Sequence, residues 1–241
     1  MRKIAFIPAR YAATRFPGKL MQKIGDQSII SMVYNNARNM QLFDEVIVAT
    51  DSDIIAAEIE GIGGKFIKSK QEHQSGSDRI AEACKNMQVD IVVNIQGDEP
   101  FIKKKPLEDL VRCFEEDGVK VSSLMQKFPD NESLENSNIV KVICNQFNDA
   151  LYFSRSVVPY KRNKEAEETF YRHVGVYAYR KEVLLQFTEW PLGVLEKMEM
   201  LEQLRYLENG VSIRMVETNE ASVGIDTPED LKKAIAFYNK G

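Results

Sequence analysis

The sequence predicts a three-layer α/β fold in which helices cover a mostly parallel central sheet. Short Val- and Ile-rich runs alternate with helical patterns over the first hundred residues. Uninterrupted apolar runs are typical of strands that are buried on both faces, and parallel strands need the crossover connections that intervening helices provide. With 241 residues, 44% of them hydrophobic, the chain is long and apolar enough for a sizeable core.

The first half of the chain repeats these two patterns in order. Strands are predicted at 4–7, 46–49, 65–67 and 90–95, and helices at 28–40, 53–60 and 78–87. Each helix lies between two strands, as the crossovers of a parallel sheet require.

The pattern changes after Val121. Strands at 138–144 and 150–153 enclose a polar turn and predict a hairpin, and a further strand is predicted at 173–179. The segment 195–208 predicts one helix, with an apolar stripe made of Met200, Leu201, Leu204 and Leu207. Thr227 followed by Pro228 and two acids predicts the start of a last helix. Because no repeat or linker divides the chain, we expect a single domain, 1–241, with an inserted mixed lobe.

Composition excludes several classes of protein. The 32 basic and 36 acidic residues give a formal charge of −4, without the basic surplus of a nucleic-acid or anionic-membrane binder. No apolar run approaches the roughly 20 residues that span a bilayer, and the first residues lack a signal-peptide pattern. Cys84, Cys113 and Cys144 form no metal-ligand pattern. We therefore expect buried thiols, a cytoplasmic protein and no zinc site.

The segment IPARYAATRFPGK, residues 7–19, is the first candidate site because it directly follows the first strand. Ligands of open α/β sheets bind beyond the carboxyl ends of the strands. Arg10, Arg15 and Lys19 supply positive charge that suits a triphosphate, and Gly18 lets a ligand approach the backbone. The alternative is a solvated basic loop. The segment is neither a Walker loop nor a GxGxxG fingerprint.

Two acidic motifs supply candidate magnesium ligands. Asp98 lies in NIQGDEP (94–100), after another buried strand, and Asp226 lies in GIDTPED (224–230). Magnesium takes one or two carboxylates together with phosphate oxygens and water, and two acids on one ion would clamp a reacting phosphate. Gln96 offers an amide to a sugar. The alternatives are an acidic turn at Asp98 and helix-dipole stabilisation by Asp226.

A further candidate site precedes the helix predicted at 78–87. Ser75, Gly76 and Ser77 would present backbone and hydroxyl donors at the helix N-terminus, which suits an anion or a nucleotide. Ordinary capping is the alternative, and Ser77 would satisfy it alone.

Two motifs in the second half are less informative. In RHVGVYAYR (172–180), His173 and Tyr177 share one strand face, where a structural histidine is the alternative. In EMLEQLR (199–205), Glu202 and Gln203 lie away from the apolar stripe and are expected in solvent. Neither motif identifies a sugar without outside knowledge.

Together with ALYFSR (150–155), these motifs resemble the family of 3-deoxy-manno-octulosonate cytidylyltransferases, also called CMP-Kdo synthetases. The resemblance covers the whole chain, and the seven motifs occur in the same order. It implies a nucleotidyltransferase-type α/β domain whose nucleotide-binding part spans about 1–125 and 210–241. A sugar-binding lobe of about 126–209 would make a homodimer. Leu20-Met21 departs from the usual GKPL, and Pro159-Tyr160 from the usual Pro-Trp, but neither change removes a charge.

The resemblance also implies a role for each candidate residue. The CTP site would contain Arg10, Lys19, Ser75, Gly76, Ser77 and Arg79. Asp98 and Asp226 would hold Mg²⁺, and with Arg10 and Lys19 they would be the catalytic set. The sugar acid would meet Arg15, Gln96, Arg155, His173, Tyr177, Glu202 and Gln203.

The expected reaction is attack by the anomeric hydroxyl of Kdo on the α-phosphorus of CTP, with pyrophosphate as the leaving group, for lipopolysaccharide biosynthesis. CTP and Kdo are the expected partners, without nucleic acid or membrane. The alternatives are CMP-sialic acid synthesis, transfer to an 8-amino Kdo analogue, and a regulatory nucleotide-binding protein that has lost catalysis.

Overall fold

Strands and helices alternate through most of the chain in the computed structural model, which describes residues 1–12, 16–73, 75–129, 132–163, 165–166, 169–220 and 224–239. In chain order the elements are β1 (Lys3–Ala9), β2 (Lys23–Ile24), β3 (Gln27–Ser28), α1 (Ile29–Asn39), β4 (Glu45–Thr50), α2 (Asp53–Gly61), β5 (Phe66–Lys68), α3 (Gly76–Cys84), β6 (Ile91–Asn94), α4 (Lys104–Arg112), β7 (Val121–Lys127), β8 (Lys141–Cys144), β9 (Ala150–Ser154), β10 (Tyr171–Arg180), α5 (Lys181–Glu189), α6 (Val194–Glu199), α7 (Leu204–Glu208), β11 (Ile213–Glu217) and α8 (Pro228–Tyr238). The expected α/β class is confirmed.

The chain forms two compact units, one of residues 1–105 with 221–241 and the other of residues 106–220. The functional division proposed from the sequence, into a nucleotide-binding part and a sugar-binding lobe, stays a prediction. No helix among the described residues is long and apolar enough to cross a membrane.

The first unit is built on parallel strands in the order β6-β1-β4-β5. Successive residues of β1 from Ile4 to Ile7 are all fully buried. Since neighbouring side chains in a strand point to opposite faces, both faces of the sheet are covered. β4 and β5 lie on one side of β1, and the chain then returns to place β6 on the other side. The strand order therefore reverses at β1, which is where open α/β sheets bind ligands.

Hydroxyl caps set where the helices of this unit begin. Ser28, Ser52, Ser75 and Thr227 are the N-caps of α1, α2, α3 and α8, and each accepts a hydrogen bond from a backbone N–H of the first turn. The helices predicted in this unit are confirmed, but α3 spans Gly76–Cys84 instead of the expected 78–87.

In the second unit, β10 pairs antiparallel with β7 and β8, β8 and β9 form the predicted hairpin, and β11 runs parallel to β7. The register between β10 and β7 shifts between Val174 and Tyr177. This lobe therefore has the mixed sheet that the change of pattern after Val121 predicts.

The single helix expected at 195–208 is wrong, because Met200 adopts a left-handed conformation (φ 54°) and ends α6. Arg205 donates from Nε and Nη2 to the two carboxylate oxygens of Glu196, at 2.7 and 2.6 Å. Nine residues of continuous helix would separate these two positions by about 14 Å along the axis. The buried ion pair thus requires the break, and Met200 is exposed instead of joining an apolar stripe.

Candidate active site

Six predicted site residues of the first unit meet at the edge where β1 and β6 end. Phe6 of β1 is in register with Asn94 of β6, and Ile95 N donates to Phe6 O at 3.0 Å. The segments that follow the two strands therefore begin side by side. They border a cavity of about 330 Å³ whose lining includes Arg10, Lys19, Gly76, Gln96, Asp98 and Asp226.

Local backbone geometry sets the position of Lys19. Gly18 has a φ of +66° and begins a short 3₁₀ turn over Lys19–Met21. Gly18 N also donates to Tyr11 O at 3.0 Å, so the loop after β1 closes on itself. Glycine adopts this left-handed conformation without the steric cost that a Cβ brings. Arg15 lies outside the described residues.

Lys19 bridges two acids that are distant in the sequence. Its Nζ donates to Asp98 Oδ2 at 2.5 Å and to Asp226 Oδ1 at 3.0 Å. The side chain of Lys19 is only 13% exposed, whereas that of Asp226 is 48% exposed. Burial by itself lowers the pKa of Lys19, but the two carboxylates outweigh it and hold the pKa above its ordinary value. Lys19 is therefore a fixed positive charge at neutral pH.

Backbone contacts bring the two acids together. Ile225 N donates to Asp98 O at 3.0 Å, which joins the segment before α8 to the segment after β6. The capping box of α8 consists of Thr227 and Asp230. The carboxylate of Asp226 is therefore not the cap, and it lies against Lys19. The helix-dipole alternative does not account for that contact.

The two carboxylates suit a hard divalent cation. They offer oxygen ligands only, and they already converge on one positively charged group, the Lys19 ammonium. Magnesium takes one or two carboxylates and completes its shell with substrate phosphates and water. Within the described ranges, no group of three or more His, Cys, Asp or Glu side chains is arranged to hold a metal. A magnesium ion held by these two carboxylates would take its remaining ligands from a substrate and from water.

Two glycines let the segments around the cavity pack closely. A Cβ at Gly76 would lie 3.2 Å from Pro8 Cγ, and one at Gly97 would lie 3.2 Å from Pro8 O. Ser75 caps α3 by accepting from Asp78 N at 3.1 Å. This corrects the expectation that Ser77 provides the cap. Both serines are buried.

Arg79 lies behind the cavity instead of lining it. Its side chain is fully buried, and its guanidinium donates to Asp51 Oδ2 at 2.8 Å and to Ser69 Oγ at 3.0 Å. Asp51 was not among the predicted site residues. Its signal was an acid two residues beyond the strand predicted at 46–49, much as Asp98 lies three residues beyond the strand predicted at 90–95.

In the second unit, His173 and Tyr177 lie side by side, with ring centroids 5.4 Å apart. His173 Nε2 is 2.9 Å from Ser123 Oγ. Burial lowers the pKa of His173 to about 3 and raises the pKa of Tyr177 well above its ordinary value. Both side chains are thus uncharged hydrogen-bonding groups at neutral pH.

The other predicted sugar residues of this unit differ in exposure. Arg155 donates to the backbone carbonyls of Ser137, Glu199 and Met200, at 2.7 to 3.3 Å. Glu202 is exposed, as expected, but Gln203 is buried, so its expected solvent position is wrong. The break at Met200 is the reason, because it reorients every residue that follows it.

Comparisons with known proteins agree on one family. The family profile "cytidylyltransferase" matches residues 4–213. Two enzymes named 3-deoxy-manno-octulosonate cytidylyltransferase are similar along their whole length. The one from Flavobacterium johnsoniae is 53% identical over 98% of this chain and 98% of its own. The one from Christiangramia forsetii is 52% identical over 97% of this chain and 95% of its own.

A solved structure gives the same result. The structure of CMP:2-keto-3-deoxy-manno-octonic acid synthetase complexed with CTP matches this chain with a TM-score of 0.94 and 38% identity. The match covers 100% of this chain and 99% of that chain.

Proposed function

The chain belongs to the cytidylyltransferase family, among the 3-deoxy-manno-octulosonate cytidylyltransferases, and we propose that it transfers CMP from CTP to the sugar acid Kdo with release of pyrophosphate. The observation that carries this proposal is the convergence of Lys19, Asp98 and Asp226 where the strand order of the sheet reverses. A triphosphate needs positive charge and a metal site in one place, and these three side chains would supply both.

Lys19 and Arg10 offset the negative charge of the triphosphate. Lys19 is held in place by two carboxylates, so little conformational freedom is lost when a phosphate oxygen approaches it. Arg10 is exposed at the mouth of the same cavity, where its planar guanidinium suits two phosphate oxygens at once. The N-terminus of α3, at Ser75, Gly76 and Ser77, offers further donors to the nucleotide.

Asp98 and Asp226 would hold Mg²⁺. When bound there, the ion lowers the pKa of the attacking hydroxyl and neutralises charge on the phosphates. The backbone contact between Ile225 N and Asp98 O keeps the two segments that carry these acids together. Lys19 would then donate some of its hydrogen bonds to the phosphates instead of to the two acids.

The sugar acid is assigned to Gln96 and to residues of the second unit. His173 and Tyr177, both uncharged, would orient sugar hydroxyls by neutral hydrogen bonds. Arg155 uses three of its five N–H groups on backbone carbonyls, so its remaining donors would meet the sugar carboxylate. Arg15, Glu202 and Gln203 complete the proposed set.

A homodimer is part of the proposal. Val194 and Met198 are four residues apart, so they lie on one face of α6, and they are 68% and 77% exposed. Met200 follows, also 77% exposed. Burial of such side chains against a second copy removes apolar surface from water. A cytoplasmic location and a role in lipopolysaccharide biosynthesis belong to the same proposal.

The test is turnover with defined substrates. The purified protein is incubated with Mg²⁺, CTP and either Kdo, 8-amino Kdo or N-acetylneuraminic acid, and pyrophosphate and the CMP-sugar are measured. We expect turnover with Kdo. Turnover with sialic acid alone, or CTP binding without any turnover, would contradict the proposal and favour a synthetase of another sugar or a regulatory protein.

A further inference from the structure

Asp51 occupies a position next to the predicted triphosphate loop that no sequence motif singled out. In the parallel pair β1–β4, Ala9 is in register with Thr50. The next residues, Arg10 and Asp51, therefore leave the two strands side by side at the carboxyl edge of the sheet. An acid and a base placed in this way attract each other.

On its other side, Asp51 anchors a buried charge. Arg79 Nη2 donates to Asp51 Oδ2 at 2.8 Å, and the Arg79 side chain has no exposed surface. Among the described residues, Arg79 Nε has no hydrogen-bond partner. Because a buried guanidinium is costly unless it is paired, the Asp51 carboxylate is the contact that makes Arg79 tolerable in the interior.

The same pair fixes the position of α3. Arg79 belongs to the first turns of this helix, and its Nη1 donates to Ser69 Oγ at 3.0 Å, just after β5. Ser69 N donates in turn to Thr50 O at 2.9 Å. Arg79 thus ties the beginning of α3, where Gly76 lines the cavity, to the ends of β4 and β5.

The neighbouring arginines keep Asp51 ionised. Burial by itself raises the pKa of Asp51, but the hydrogen bond and the charge of Arg79 outweigh it, and the charge of Arg10 adds to them. The pKa of Asp51 therefore lies below its ordinary value, and the side chain remains a carboxylate at neutral pH.

From this geometry we infer that Asp51 is a positioning residue for the nucleotide, which orients Arg10 on the triphosphate side and holds α3 through Arg79. The inference rests on the proposed use of CTP. In this role Asp51 acts through the two arginines and not through a contact of its own with either substrate. Its removal therefore affects the binding of CTP more than the binding of the sugar acid.

The test compares Asp51→Asn with the wild-type protein in the same assay. We expect the KM for CTP to rise about tenfold, with a smaller change in the KM for Kdo. In an Arg10→Ala background, Asp51→Asn should add less than its separate effect, because the two residues act together. Asp53→Asn is the matched control, since Asp53 is a neighbouring acid that pairs with Lys68 at the surface. The control should retain the wild-type KM for CTP.

A second variant covers the case in which Asp51→Asn does not fold. Asp51→Glu keeps a carboxylate for Arg79 but displaces it, so the protein should fold and still show a raised KM for CTP. An unchanged KM for CTP in whichever variant folds, or effects of Asp51 and Arg10 that simply add, would overturn the inference. A wild-type protein that fails to use CTP at all would instead refute the proposed function.

Discussion

Replacement of Lys19 by methionine tests the central cluster directly. The change removes the charge and keeps most of the volume of the side chain. The Asp98 and Asp226 carboxylates then face each other without the cation that bridges them at 2.5 and 3.0 Å. Since the pKa of Lys19 is higher in the folded chain than its ordinary value, the charged lysine stabilises the fold.

The expected loss of stability is about 1–3 kcal/mol. Breaking a fully buried ion pair costs about 3–5 kcal/mol, but the Asp226 side chain is 48% exposed and water screens its part of the loss. For a chain of this size, such a loss lowers the Tm by about 2–12 °C. Catalysis should suffer more, with kcat/KM lower by about 10²-fold or more, the scale of one lost transition-state donor.

Two measurements separate these effects. Thermal unfolding with and without Mg²⁺ should show a larger stabilisation by the ion in Lys19→Met than in the wild-type protein, because the two acids lack their internal cation. The catalytic rate of Lys19→Met should remain low even at high Mg²⁺ concentration. Lys23→Met is the matched control, since Lys23 is exposed on β2. A variant with the wild-type rate would refute the reasoning and return residues 7–19 to a solvated basic loop.

The raised pKa of Lys19 determines how its contribution to stability depends on pH. A raised pKa means that the contribution of Lys19 is fully present below the unfolded pKa of about 10.4 and is lost as the pH rises through the folded pKa. The difference in Tm between the wild-type protein and Lys19→Met should therefore stay constant between pH 6 and 9. A difference that disappears within this range would contradict the assignment of the charge.

Three further predictions concern other sites. Asp226→Asn should sharply reduce turnover, which high Mg²⁺ partly restores, with stability unchanged or raised; a lower Tm with an unchanged rate would leave only the helix-dipole role. His173, whose pKa burial lowers to about 3, should cost the fold about 1 kcal/mol between pH 7 and 5.5 because the unfolded chain takes up the proton, and urea titrations of His173→Gln should lack this loss. Glu196→Gln removes the carboxylate that pairs with the buried Arg205 and should cost about 3–5 kcal/mol, whereas an unchanged urea midpoint would show that the ion pair is dispensable.

The parallel half of the fold was predictable because its signals are local. β1, β4 and β6 contain uninterrupted apolar runs, and α1, α2 and α3 begin at serine caps, so the predicted order of these elements needed no long-range information. The candidate residues of the first unit followed from the same order. Segments that follow parallel strands begin at one edge of the sheet, which is why Lys19, Gln96 and Asp98 were expected near one another and line one cavity.

The errors lie where a distant partner determines the local structure. Periodicity alone predicts a helix through 195–208, because it carries no information about the ion pair between Glu196 and Arg205. That pair and the left-handed Met200 divide the segment and bury Gln203. The roles of Arg79 and Asp51 were hidden for a similar reason, since nothing in HQSGSDR shows that its arginine points into the interior.

The buried arginine changes how the nucleotide site is understood. The sequence motif at 73–79 predicts that Arg79 contacts the nucleotide together with the two serines. In the structure Arg79 forms an ion pair with Asp51, and from this segment Gly76 lines the cavity. In the inferred arrangement, Arg10, Asp51 and Arg79 form one row from the cavity to the interior, and each charge would limit the conformational freedom of its neighbour. A site that must bind a highly charged, flexible triphosphate gains from such rigidity, because groups held in place before binding lose less entropy when the ligand arrives.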